Sequence, residues 1–70
     1  MKNKYYLKMK CIINGNVEEL WYTGIDVILN KDIKYAHGYG FKFLAENTAE
    51  VLIENSIFIG YKIITKLEVK

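Results

Sequence analysis

Asn14-Gly15 sits between two runs of alternating apolar residues and limits the start of the chain to one geometry. A two-residue type I′ turn needs positive φ at both central positions, and Asn-Gly supplies them at little steric cost. With that turn, Ile13 pairs with Asn16, Ile12 with Val17, Cys11 with Glu18, Lys10 with Glu19, Met9 with Leu20, Lys8 with Trp21 and Leu7 with Tyr22. Tyr5, Leu7, Met9, Cys11 and Ile13 then share a face with Leu20 and Tyr22, and this face is the expected core. Lys4, Tyr6, Lys8, Lys10 and Ile12 share the opposite face with Glu19 and Trp21. Lys10 attracts Glu19, and Lys8 can lie over the Trp21 ring. This second face is expected to meet solvent or a partner.

The chain's 70 residues predict a single domain spanning residues 1–70. So small a domain buries a modest core, and a homodimer would add stability. A net charge of +2 gives neither a polybasic arm nor an acidic nucleic-acid mimic. The single cysteine, Cys11, excludes an internal disulfide framework and fits the reducing cytoplasm. No apolar run reaches the length of a membrane span. Lys8 follows Tyr5-Tyr6-Leu7 too soon for a signal-peptide core.

Beyond the hairpin, Asn30-Lys31-Asp32 can cap a helical turn carrying Ile33 and Ala36, and Gly40 to Leu44 reads as a short strand. Residues 45–55 carry two patterns. Ala45, Ala49, Leu52 and Ile53 share a helical face, and Asn47 with Glu50 resembles a capping box, which predicts a helix over about 46–55. Alternation of Ala49, Val51 and Ile53 with Glu50, Leu52 and Glu54 permits a strand instead. Tyr61, Ile63, Thr65, Leu67 and Val69 alternate with Lys62, Ile64, Lys66 and Glu68 and predict a half-buried closing strand. The expected fold is α+β: a small antiparallel sheet, opened by the hairpin and closed by the C-terminal strand, with one short helix on one face. A small all-β barrel or meander is the alternative.

Trp21-Tyr22-Thr23-Gly24, Asp32-Ile33-Lys34-Tyr35-Ala36, the Phe41 and Phe43 stretch, Ala49 to Glu54 and Tyr61-Lys62-Ile63-Ile64 follow one another in an order that resembles small proteins encoded by phages and mobile elements of AT-rich bacteria. That resemblance covers most of the chain and implies a layout rather than a site. Some phage proteins of this size bind and inhibit host defence complexes, which makes a larger host protein or complex the expected partner. His37-Gly38-Tyr39-Gly40-Phe41-Lys42-Phe43-Leu44 resembles the central-strand signature of RNA-recognition motifs, whose sheet aromatics stack bases. Gly38, Tyr39, Gly40 and Phe41 match it. His37 stands for the basic residue, Lys42 for an apolar one and Leu44 for the last aromatic. The 36 residues before His37 leave little room for the β-α-β unit that precedes this strand in that family.

Catalysis finds little footing. His37 and Cys11 are the lone residues of their types, and Cys11 falls on the core face, where a thiol is usually inert. One His, one Cys and scattered carboxylates do not make a metal site, and Gly38-x-Gly40 lacks the third glycine of a dinucleotide site. No enzyme activity, cofactor or metal is therefore expected. The expected function is that of a protein-interaction module docking through Tyr6, Lys8, Lys10 and Trp21. The first alternative is single-stranded RNA or DNA binding through His37, Tyr39, Phe41 and Lys42. The second is a structural or assembly subunit that self-associates through a strand edge.

Overall fold

A computed structural model of the chain describes residues 3–26, 28–55 and 57–67. Five strands form one curled antiparallel sheet, and one helix packs on its concave side, so that the whole is a half-barrel of α+β type. This is the expected class, with the curl leaning toward the barrel alternative.

The hairpin forms as the turn dictates. β1 (Asn3–Ile13) and β2 (Asn16–Tyr22) pair from Lys8↔Trp21 to Ile13↔Asn16 in the expected register, with Asn14 and Gly15 at φ 53° and 81°. The Trp21-Tyr22-Thr23-Gly24 stretch then turns the chain. Gly24 has φ 87°, and the Thr23 hydroxyl donates to the Ile28 carbonyl at 2.9 Å. The Tyr22 hydroxyl donates to the Asp26 carbonyl at 2.8 Å. Gly24 is also needed for space, since a Cβ there would meet His37 Cβ at 3.0 Å. β3 (Leu29–Asn30) adds two residues to the outer edge of β2. A single 3-10 turn, Ile33–Tyr35, follows with Asp32 as its cap, as expected: the Asp32 carboxylate accepts from the Lys34 amide at 3.1 Å.

The middle of the chain differs from expectation. The strand expected at Gly40 to Leu44 is instead β4 (Gly38–Tyr39), and helix α1 runs Lys42–Leu52 rather than 46–55. Asn47 lies mid-helix and caps nothing. Phe41 holds the N-cap position in extended conformation without a side-chain hydrogen bond. The helical spacing of Ala45, Ala49 and Leu52 prevails over the strand-like alternation because these three side chains bury together against the sheet. Two alanines one turn apart let the helix come close to it.

The closing strand β5 (Phe58–Leu67) starts three residues earlier than expected, while Val69 lies outside the described residues. It runs antiparallel along β1 from Asn3↔Leu67 to Cys11↔Phe58, with an irregularity between Lys10 and Cys11. β4 also pairs with β1, at Tyr5↔Tyr39 and Tyr6↔Gly38. Because β5 flanks that same part of β1, β4 must lie on the β2 side, continuing the line that β2 leaves. Leu7, Met9, Cys11, Leu20, Tyr22, Ala49, Leu52 and Phe58 form the core. Ile13, expected in the core, is exposed because the hairpin end carries it outside that cluster.

Candidate functional site: a lysine-bearing sheet face

The side of the sheet opposite α1 is built by strand parity. β1 contributes Lys4, Tyr6, Lys8, Lys10 and Ile12; β2 contributes Val17, Glu19 and Trp21. β5 sets Lys66 opposite Lys4, Ile64 opposite Tyr6, Lys62 opposite Lys8 and Gly60 opposite Lys10. Five lysines among the described residues therefore share one face, and two of the cross-strand pairs, Lys4↔Lys66 and Lys8↔Lys62, set like charges directly opposite each other. Glu19 is the acidic residue among them within the described residues. Its carboxylate accepts from Lys62 Nζ at 3.2 Å, and its pKa is lowered by that hydrogen bond and by the charges of Lys62, Lys10 and Lys8.

The expected docking aromatics lie under this layer. Tyr6 is 3% exposed and Trp21 9%, so neither is the open hydrophobic anchor the hairpin pattern suggested. Their rings meet edge to face at 6.5 Å, and Lys8 Nζ sits 4.7 Å from the centre of the Trp21 ring. Lysine stems tolerate such burial because they cover apolar surface while their ammonium heads stay in water. Lys8 and Lys10 are half-exposed, as expected for heads that snorkel past the rings. Where the chain turns, Ile12 and Val17 pair on this same face and are exposed. Ile57 lies beside them, its carbonyl accepting from the Ile12 amide at 3.3 Å, and is exposed too. The face is thus cationic along its length and apolar at one end.

The residues of the alternative nucleic-acid site do not share a strand face. Tyr39 packs against the core from β4, and His37 meets its ring at 4.5 Å. Phe41 and Lys42 belong to the start of α1. Phe41 is 63% exposed and lies 5.8 Å from Phe43 in a tilted pair. The signature-like stretch is split between a two-residue strand and a helix start, which separates its aromatics from the sheet surface that would stack bases.

Cys11 is buried, its thiol directed at the Glu18 carbonyl at 3.7 Å, and burial together with the Glu18 charge raises its pKa. His37 makes its ring contact to Tyr39, remote in register from Cys11. Among the described residues no three of His, Cys, Asp and Glu converge as a metal site would require, and no helix is long and apolar enough to cross a membrane.

Sequence reasoning found Lys8, Lys10 and their aromatic neighbours. It missed Lys62 and Lys66, whose place on this face depends on β5 lying along β1. Their i, i+4 spacing on one strand side, opposite a second lysine series on β1, was the available signal. Comparison with family models, curated proteins and solved structures gives no match for this chain.

Proposed function

We propose that this chain is a non-enzymatic interaction protein that docks its lysine-bearing sheet face onto an acidic surface of a larger protein. The cross-strand lysine pairs carry this reading. Like charges directly opposite on a sheet oppose folding, and local rules are broken in this way where a surface serves a partner. Glu19 favours a protein over a phosphate backbone. A carboxylate amid Lys8, Lys10 and Lys62 repels phosphates, whereas a mixed-sign protein surface can match it. Ile12, Val17 and Ile57 add the apolar anchor that protein interfaces use beside a polar rim. The resemblance to small phage and mobile-element proteins supports a host complex as the partner, with inhibition of a defence system as the consequence of docking.

The test is retention of partners by the immobilised chain from bacterial lysate, with and without nuclease. Three forms are compared: the unaltered chain, Lys8→Glu with Lys10→Glu, and Glu46→Lys with Glu50→Lys on the helix. One stoichiometric protein complex is expected, lost with the sheet variant, kept with the helix variant and eluted by salt. Release by nuclease would move the assignment to nucleic acid. Equal retention by both variants would remove the lysine face from it.

A further inference from the structure

We propose that β5 is a pairing edge for a second copy of this chain, giving a two-fold dimer centred on Ile63. Among the described residues the sheet has three outer strands, and they are of unlike character. β3 and β4 are each two residues long and present almost no ladder. β5 is ten residues long and pairs only with β1 among the described residues, so alternate amides and carbonyls along its other edge point outward without a strand. A long open edge of this kind is a template for another strand. Its side chains add apolar surface. Ile59 and Tyr61 are exposed, Tyr61 by 38%, and Ile63 and Ile64 are half-buried.

The register follows from symmetry. Antiparallel self-pairing about a two-fold axis places residue i opposite residue j with a constant, even sum, because facing residues must share a side of the sheet. The irregularity between Lys10 and Cys11 falls on β5 between Phe58 and Gly60, leaving Gly60 to Lys66 as the regular stretch. That stretch is symmetric about Ile63. Centring there sets Ile63 opposite its own copy, Lys62 opposite Ile64, Tyr61 opposite Thr65 and Gly60 opposite Lys66. Centring one residue away either way sets Lys62 opposite Lys62 or opposite Lys66. The lysines that commonly guard an edge strand here permit one register and oppose its neighbours. This pairing keeps side-chain parity across the junction, so the two lysine faces become one surface on one side of a continuous sheet. The dimer does not depend on what that surface binds.

Analytical ultracentrifugation of the isolated chain tests the proposal, over about 1 µM to about 1 mM, because a single ladder forms a small interface that dissociates readily. The mass is expected to rise from one chain to two across that range. Tyr61→Lys with Thr65→Lys sets lysines opposite each other twice across the junction and should raise the dissociation constant about tenfold or more. Tyr61→Lys with Thr65→Glu sets Lys opposite Glu twice and should restore pairing. A mass of one chain throughout for the unaltered protein overturns the proposal, and so does equal pairing by the two variants. The unaltered chain decides the matter even if a variant fails to fold.

Discussion

The two sides of β1 bury their large residues by different means. On the odd-numbered side, Leu7, Met9 and Cys11 lie in a sealed core with Ala49, Leu52 and Phe58. On the even-numbered side, Tyr6 and Trp21 are nearly as inaccessible, yet Lys8 stands directly over the Trp21 ring and charged heads remain at the surface. The first side is closed by close packing. The second is covered by flexible stems around rigid rings. A sheet can thus spend one face on stability and hold the other as a firm, charged platform.

Truncation separates the two sides most strongly. Leu7→Ala removes fully buried atoms from a close-packed site and is expected to cost about 2–5 kcal/mol in denaturant unfolding. Trp21→Leu keeps an apolar group under the Lys8 stem and is expected to cost clearly less, because flexible stems settle onto the smaller side chain and leave little cavity. Equal losses would mean that both sides are packed alike.

Alkaline pH sharpens the contrast next. Burial raises the pKa of both Cys11 and Tyr22, which belong to the sealed side. An acid whose folded pKa is raised holds its proton longer in the folded state. Stability is then complete below the ordinary thiol and phenol ranges and falls as pH rises from about 8.5 through the raised folded values. Cys11→Ala with Tyr22→Phe should flatten the decline measured by unfolding at stepped pH. A decline of unchanged steepness would place its source elsewhere.

The smallest effect belongs to the open side. Glu19 is held below the usual carboxylate range chiefly by its hydrogen bond from Lys62. Any stability from this pair is present above the ordinary glutamate pKa and is lost as pH falls through the lowered one. In NMR titration Lys62→Met should move the Glu19 midpoint upward while leaving the unfolding midpoint almost unmoved. A Glu19 midpoint that stays in place would show that the 3.2 Å bond does not persist in solution.

What the sequence disclosed follows the range of the interactions. The hairpin register was legible because one turn fixes it, and the Asp32 cap was legible because it spans two residues. The start of α1 was not. Phe41 gives no side-chain cap, and Asn47 with Glu50 imitates one inside the helix. The burial of Trp21 was also hidden, because a lysine-aromatic alternation reads the same whether the ring or the ammonium is outermost. The like-charge pairs were missed, since they arise where β5 meets β1 across more than fifty residues of chain and the lysine spacing on each strand was their only local sign.

The most direct test of the lysine face as a platform kept for a partner is a charge-reversal cycle on its outermost pair, Lys4 and Lys66. Unfolding free energies are compared for the unaltered chain, Lys4→Glu, Lys66→Glu and both together. Each single reversal replaces repulsion with attraction and should stabilise the fold by about 0.2–1 kcal/mol, while the double reversal restores like charges and should return near the starting value. Singles that stabilise while weakening partner retention would show a face held at some cost to the fold. Four stabilities that simply add, with no coupling between the two positions, would contradict the opposed lysines on which the functional reading stands.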